Sequence, residues 1–138
     1  MESVIEARGL VRRFGDIVAV AGIDLDVTQG EVFGFLGPNG AGKSTAVRMF
    51  TTLLRPSGGT ARVGGFDVVA DAGAVRRIIG VALQDAAIDP LMTANELVRL
   101  QAVLHGLSRA DARSRGGELL ARVGLSGAAS RRVSTYSG

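Results

Sequence analysis

The nine residues GPNGAGKST, at positions 37–45, constrain the fold of this chain more than any other feature. They follow EVFGFL, a nearly continuous apolar run of the kind found in strands that are buried on both faces of a parallel sheet. After them, apolar residues recur at helical spacing until Pro56, at Ala46, Val47, Phe50, Leu53 and Leu54. The sequence therefore predicts a buried strand, a glycine-rich loop and a helix in direct succession.

The loop matches the pattern G-x-x-x-x-G-K-[ST] at Gly37, Gly42, Lys43 and Ser44, and a chain of this composition gives roughly 0.002 such matches by chance. Glycines let backbone N–H groups approach an anion closely, and a helix that begins near Lys43 directs the positive end of its dipole to the same point. Lys43 is the only lysine among 16 Lys and Arg residues. An ammonium is a compact point charge, which suits a crowded anion site better than a planar guanidinium does.

These properties predict a site for a nucleoside triphosphate. Lys43 is expected to contact the β- and γ-phosphates, and the Ser44 hydroxyl is expected to bind Mg²⁺. The predicted nucleotide-binding residues of the loop are Gly37, Pro38, Asn39, Gly40, Ala41, Gly42, Lys43, Ser44 and Thr45. The alternative is a glycine-rich turn with an incidental lysine. Because many families share this loop, the motif predicts a class of reaction and not a biological role.

The composition is that of a folded domain. The length of 138 residues fits about one domain, and 46% hydrophobic with 21% charged residues argues against disorder. The absence of cysteine excludes disulfides and thiolate metal sites within the sequence. The N-terminus has no apolar core of a signal peptide, and apolar stretches such as IVAVAGI are shorter than the roughly 18 residues of a membrane span.

The net charge of +3 raises the question of nucleic-acid binding. The arginines form separated pairs, as at 12–13, 76–77 and 131–132, and aromatic residues make up only 4% of the chain. Neither a continuous basic stripe nor an aromatic stacking surface is present in the sequence, so we expect no nucleic-acid partner.

Other segments predict further elements. Residues 4–12 and 22–27 alternate apolar and polar side chains, which is typical of half-buried antiparallel strands. TARV predicts a short strand, AGAVRR a short helix, and IIGVAL from Ile78 another buried strand. Thr93 and Glu96 form a capping-box pattern before a helix, and a second helix is predicted over 108–123 despite Gly116 and Gly117.

The change from strands to helices near Pro90 predicts a subdomain boundary. We expect one subdomain to span residues 1–89 and a helical subdomain to begin with residues 90–138.

The segment VRRFGDIVAVAGIDLDVTQGEVFGFLGPNGAGKST resembles the opening of ATP-binding cassette (ABC) transporter nucleotide-binding subunits, especially those of bacterial drug exporters. The resemblance extends over essentially the whole chain. It implies an α/β fold with a P-loop NTPase (RecA-like) core, an antiparallel β subdomain and the start of a helical subdomain. It further implies that residues 1–89 are the N-terminal part of the ATPase core and that residues 90–138 begin its helical subdomain. It also implies that Phe14 stacks on adenine, since an aromatic ring supports such stacking with or without a hydroxyl. From the residues alone, the alternative is that Phe14 is an apolar core residue at the end of a strand.

IIGVALQDAAIDPLMTANE is similar to the Q-loop of that family. The resemblance implies that Gln84 helps to coordinate Mg²⁺ and the attacking water, and couples the nucleotide state to the membrane subunit. An amide can donate to water and also bind a cation. The alternative is an exposed polar residue at a strand end. STYSG resembles the start of the signature motif, in which Ser137 and Gly138 would contact the γ-phosphate on the other subunit of a head-to-tail dimer. Tyr136 departs from the leucine that is usual there.

The resemblance implies that ATP with Mg²⁺ is the cofactor, that the partners are an integral-membrane subunit and a second nucleotide-binding subunit, and that the protein lies at the inner face of the cell membrane. The family hydrolyses ATP with an Asp-Glu pair at a strand end, and no Asp-Glu dipeptide occurs in this sequence. We therefore expect an incomplete domain, truncated at the signature motif, that has no ATPase activity by itself. The alternatives are another P-loop NTPase or kinase, and a nucleic-acid-binding module.

Overall fold

Four antiparallel strands form the sheet of the first unit, Met1–Ala82, in the computed structural model of the chain. The structure describes residues 2–82 and 88–136. The strands lie in the order β2-β1-β3-β4, and they are β1 (Ser3–Phe14), β2 (Ile17–Thr28), β3 (Gly58–Val63) and β4 (Phe66–Asp67). The antiparallel sheet that the alternating residues predict is confirmed, and so is the strand predicted at TARV.

The sheet packs on helices α1 (Lys43–Phe50) and α2 (Ala72–Ile78). The side chains of Leu10 in β1, Met49 in α1 and Val75 in α2 are fully buried. Burial of a side chain of this size contributes about 1.5–3 kcal/mol to folding. This shared core holds α1, and therefore the loop that precedes it, against the strands.

The buried parallel strands predicted at EVFGFLG and IIGVAL are wrong for the described residues. Residues 31–38 have no regular secondary structure, and Val32 and Leu36 are 99% and 95% exposed. Ile78 ends α2, and residues 79–82 are also irregular. A strand needs a hydrogen-bonded neighbour, and residues 2–82 and 88–136 supply none to either segment. Phe35 nevertheless packs on the core, with its ring centre 6.3 Å from that of Phe50.

Helix α1 is shorter than predicted, because it ends at Phe50 and not at Leu54. Thr52 has a φ of 63°, in the left-handed region that a continuing helix cannot use. Leu54 still packs against the core, whereas Leu53 is 58% exposed. The short helix predicted at AGAVRR is confirmed as α2.

The second unit, Leu83–Gly138, contains helices α3 (Ala94–Leu104) and α4 (Arg109–Arg122) and two 3-10 turns, Ser126–Ala128 and Val133–Thr135. Both predicted helices are therefore confirmed. A Cβ on Gly116 would lie 3.0 Å from Cγ1 of Val98, so this glycine allows α4 to approach α3 closely. Ala94, Leu120 and Ala129 form the small core of this unit.

The boundary between the two units falls after Ala82, whereas Pro90 lies inside the second unit. The assignment of 1–89 and 90–138 to two subdomains of one ATPase stays a prediction. Among the residues that the structure describes, no helix is long and apolar enough to cross a membrane.

Candidate functional site

Gly42 fixes the geometry where the loop meets helix α1. It is the N-cap residue of α1, with φ 70° and ψ 35° in the left-handed region. A Cβ at this position would collide with the carbonyl oxygen of Ala19 in β2. The loop backbone can therefore lie against β2 only because residue 42 has no side chain.

The ammonium group of Lys43 lies over the start of the loop. Its Nζ donates hydrogen bonds to the carbonyl oxygens of Gly37, at 2.8 Å, and of Pro38, at 3.1 Å. An ammonium has three N–H donors, so these two bonds leave one donor for a further acceptor. The first turn of α1 thus carries a positive charge next to the loop backbone.

The N-terminus of α1 has neither a side-chain cap nor an acidic residue in its first turn. The first N–H groups of a helix have no partner within the helix, and they carry the positive end of its dipole. The Ser44 side chain, which is exposed, and that of Thr45 make no hydrogen bond to any residue that the structure describes. These donors and hydroxyls are therefore available to an anion and to a cation that accompanies it.

A pocket of about 460 Å³ adjoins this helix terminus. One wall is formed by β2 from Val18 to Ile23, and the other by Phe35, Leu36 and residues 40–43. A groove of about 570 Å³ between α3 and α4 has mainly apolar walls, with His105 and Arg115 among its lining residues. We take the pocket at the loop as the candidate site, because it brings the cation and the uncapped helix terminus together.

Phe14 lies at the end of β1 and is 46% exposed. The guanidinium carbon of Arg12 lies 4.4 Å from the centre of its ring. Within residues 2–82, the lining of the loop pocket does not include Phe14. Sequence reasoning missed Arg12, although residues two apart on a strand lie on the same face and this spacing could have signalled the pair.

Three predicted site residues, Gln84, Ser137 and Gly138, lie outside the described residues. His105 is exposed at the C-terminal end of α3. No group of three or more His, Asp or Glu side chains that could hold a metal ion occurs in ranges 2–82 and 88–136.

The carboxylates with shifted pKa values have structural partners. The Arg8 side chain hydrogen-bonds to Asp26 and lowers the pKa of that carboxyl group. Backbone N–H groups of Ala70 and Val69 lower the pKa of Asp67, and that of Thr28 lowers the pKa of Glu31. None of these residues belongs to the loop, so the loop's net charge comes from Lys43 and the helix terminus.

The loop is rich in glycine, carries a lysine at its end and leads into an uncapped helix. This is the phosphate-binding arrangement of P-loop proteins. The chain is thus an α/β protein of the P-loop class. It matches the ABC transporter family over residues 20–138, and it belongs to that family.

The curated relatives include drug-resistance proteins. The chain is 50% identical over 134 residues to the daunorubicin/doxorubicin resistance ATP-binding protein of Streptomyces peucetius, covering 97% of this chain and 41% of that protein. It is 46% identical to the doxorubicin resistance ATP-binding protein of Mycobacterium tuberculosis strain H37Rv, covering 90% of this chain and 38% of the relative. It is 34% identical to the linearmycin resistance ATP-binding protein of Bacillus subtilis, covering 98% and 43%. The chain therefore spans about two fifths of the length of these relatives.

Solved structures share the fold. An ATP-binding subunit of an ABC transporter superimposes with a TM-score of 0.81 at 25% identity, covering 98% of this chain and 56% of that one. The ADP conformation of MJ1267, an ATP-binding cassette, gives a TM-score of 0.81 at 23% identity, covering 100% of this chain and 60% of the other. The predicted fold class, a P-loop NTPase with an antiparallel β subdomain, is confirmed.

Proposed function

We propose that this chain is the ATP-binding part of a drug-exporting ABC transporter and that it binds the triphosphate of ATP at the 37–45 loop. The observation that carries the proposal is the uncapped, acid-free N-terminus of α1 with the Lys43 ammonium beside it. A site of this kind attracts an anion through oriented N–H groups and one fixed cation. The names of the curated relatives support ATP as the nucleotide and drugs as the transported class.

In this proposal, the chemistry of each loop residue determines its role in binding. Gly37, Gly40 and Gly42 let the backbone N–H groups face the phosphates, and Lys43 exchanges its two carbonyl contacts for phosphate oxygens. Pro38, Asn39 and Ala41 complete the loop, and Thr45 adds a hydroxyl beyond Ser44.

The Ser44 side chain fits the Mg²⁺ that accompanies ATP. It is exposed and forms no hydrogen bond to the described residues, and a hydroxyl oxygen is a hard ligand of the type Mg²⁺ prefers. When bound, the ion neutralises charge on the β- and γ-phosphates. Gln84 is proposed as a further ligand and as the contact to the attacking water, on the resemblance of its segment to the Q-loop.

The base and the partners are proposed on the same resemblance. Phe14 stacks on adenine, for which its half-exposed ring is suited. An integral-membrane subunit at the inner face of the cell membrane carries the drug, and a second nucleotide-binding subunit pairs head to tail, with Ser137 and Gly138 of one subunit facing the ATP of the other.

Hydrolysis is proposed for a protein that also holds an Asp-Glu pair, as the resemblance requires. The 138-residue sequence contains no Asp-Glu dipeptide, so it lacks the pair to which the resemblance assigns the polarisation of the attacking water. We expect phosphate release by the chain itself to stay at background. Lysine-dependent turnover by the chain alone would show that a catalytic residue lies within these positions.

The proposal is tested by equilibrium binding of ATP to wild type and to Ser44→Ala, with and without Mg²⁺. We expect Mg²⁺ to strengthen binding to wild type and to have little effect on Ser44→Ala, while Mg²⁺-free binding is similar in both. Stronger binding of GTP than of ATP would favour another P-loop NTPase. Retention on DNA that falls steeply with salt, in the absence of ATP binding, would favour a nucleic-acid-binding module and contradict the proposal.

A further inference from the structure

Arg12 and Phe14 form a stacked pair at the end of β1. The guanidinium carbon lies 4.4 Å from the ring centre, within the range of an attractive cation–π contact. Arg12 is only partly exposed, whereas the Phe14 ring is 46% exposed. The guanidinium thus lies against the ring while much of the ring surface remains open to solvent.

The guanidinium also contacts the chain segment that follows α1. Nη1 of Arg12 donates a 2.8 Å hydrogen bond to the carbonyl oxygen of Arg55. The same segment is attached to β1 by two more bonds, from Ser57 N–H to the Val11 carbonyl at 2.8 Å and from Arg13 N–H to Ser57 Oγ at 3.0 Å. The side chain of Arg12 therefore links the Phe14 ring to the chain segment that follows α1.

No carboxylate holds this arginine among the residues that the structure describes. The ion pairs found in these residues are Arg8 with Asp26 and Arg115 with Glu118. The Nε atom of Arg12 is buried and has no hydrogen-bond partner within the described ranges. A buried N–H without an acceptor is costly, so the position of this guanidinium is not explained by hydrogen bonding alone. The cation–π contact with the Phe14 ring is a further interaction that holds it.

We propose that Arg12 is a positioning residue for nucleotide binding, which holds the Phe14 ring in place with its guanidinium so that the ring is already oriented when the base stacks on it. The inference rests on the proposed function, in which Phe14 stacks on adenine. Restricting the ring before binding removes part of the ordering cost that the complex otherwise bears. A planar guanidinium can stack on the ring and donate to Arg55 at once, which the ammonium of a lysine does less well.

Arg13 provides a matched control for charge. It is the next residue, carries the same charge and is exposed, and its contact to Ser57 uses the backbone N–H, which alanine retains. A general attraction of arginine for the triphosphate would make Arg12→Ala and Arg13→Ala behave alike, and would weaken inorganic tripolyphosphate as much as ATP.

The test compares the affinities for Mg-ATP and for inorganic tripolyphosphate with Mg²⁺, in the 138-residue chain. Wild type is measured beside Arg12→Ala, Arg13→Ala, Phe14→Ala and the Arg12→Ala/Phe14→Ala double variant. We expect Arg12→Ala to weaken ATP about fivefold and to leave tripolyphosphate unchanged, and Arg13→Ala to leave the ratio of the two affinities unchanged. In the Phe14→Ala background, Arg12→Ala should add no further loss, because its effect acts through the ring.

Partial unfolding of a variant lowers both apparent affinities by the same factor, so the ratio of ATP to tripolyphosphate affinity reports the base contact alone. Arg12→Gln keeps a donor for the Arg55 carbonyl and removes the cation, and it should reproduce the loss if Arg12→Ala does not fold. Equal weakening of both ligands by Arg12→Ala, or additive losses in the double variant, would overturn the inference. Phe14→Ala with unchanged ATP affinity would instead overturn the assignment of Phe14 in the proposed function.

Discussion

Helices α1 and α3 begin in opposite ways. At α3, the Thr93 hydroxyl accepts a bond from the Glu96 N–H, and the Glu96 carboxylate accepts bonds from the Thr93 N–H at 2.8 Å and its hydroxyl at 2.9 Å. At α1, the N-cap is Gly42, no side chain accepts from the first turn, and the first turn holds no acid. The N-terminus of α1 thus has no side-chain cap, whereas the N-terminus of α3 is capped by its own residues.

The comparison shows how one backbone feature serves two purposes. Both termini present N–H groups that have no carbonyl partner within the helix, together with the positive end of the helix dipole. At α3 a carboxylate from the same chain provides the negative charge, which stabilises the helix. At α1 the chain supplies a lysine and not a carboxylate, so the favourable negative charge has to come from a ligand. We regard this difference as the physical basis of the proposed function.

The largest expected effect comes from removing the cation at the open terminus. Lys43→Ala should weaken ATP binding by about 2–5 kcal/mol, the cost of truncating one partner of a buried charge pair. Lys43→Arg should also be harmful, because the planar guanidinium does not fit the space between the loop carbonyls. Isothermal titration calorimetry, with ATP added to wild type, Lys43→Ala and Lys43→Arg, measures the three affinities. Similar affinities in wild type and both variants would remove the distinction between the two helix termini.

The next effect concerns the glycine that holds the loop against β2. Gly42→Ala should lower the free energy of unfolding by about 2–3 kcal/mol, since its Cβ meets the Ala19 carbonyl at a strained φ of 70°. Gly40→Ala is the matched control, because it has a φ of 84° but no atom within 4 Å of its Cβ, and it should cost about 1 kcal/mol. Urea unfolding gives both values. Equal losses would show that strain alone, and not the contact with β2, requires glycine at position 42.

A smaller effect separates the base from the phosphates. Phe14→Ala should reduce ATP affinity by about 1–3 kcal/mol, while Phe14→Tyr or Trp should cost little, because the ring face makes the contact. The open terminus of α1 is unchanged in these variants, so tripolyphosphate binding should not respond. An alanine variant with unchanged ATP affinity and unchanged thermal stability would show that Phe14 neither stacks nor packs.

The smallest effect is expected at the satisfied terminus. Thr93→Ala should lower stability by about 1 kcal/mol, the usual cost of losing such a cap, without changing ATP affinity. A change in ATP affinity that equals the one caused by Lys43→Ala would contradict the different roles of the two helices.

Acid should reduce the difference in stability between wild type and Thr93→Ala. The Thr93 N–H lowers the pKa of Glu96, so the carboxylate stabilises the fold at pH values above the unfolded-state pKa and loses this contribution as the pH falls through the lower folded-state pKa. Below both values the Glu96 bonds to Thr93 are weakened in wild type, so the penalty of Thr93→Ala should be smaller there than at pH 7. A penalty that is independent of pH would show that the bond from the Thr93 hydroxyl to the Glu96 carboxylate adds nothing to the cap.

The sequence predicted the elements whose partners lie nearby in the chain. The first two antiparallel strands, the capping box at Thr93, and the start of α1 near Lys43 depend on local patterns, and each is confirmed. The strands expected at EVFGFLG and IIGVAL failed because an apolar run becomes a strand only beside a hydrogen-bonded neighbour, which residues 2–82 and 88–136 do not provide.

At the site, too, the features that depend on neighbouring residues could be predicted and those that depend on distant residues could not. The motif gave the loop residues, since they are consecutive in the sequence. It could not give the contact between Gly42 and Ala19 or the hydrogen bond from Arg12 to Arg55, because these pairs are distant in the sequence and meet only through the packing of α1 on the sheet.

The most direct measurement follows the backbone amides of both helix termini by NMR while Mg-ATP is added. We predict that the amide signals of Gly40, Lys43 and Ser44 shift with saturation and that those of Glu96 and Asp111 do not, because the latter already donate to the side chains of Thr93 and Ser108. The shifts should disappear in Lys43→Ala. Unperturbed signals at residues 40–44, or equal shifts at both termini, would contradict the claim that the open terminus of α1 is the nucleotide-binding site.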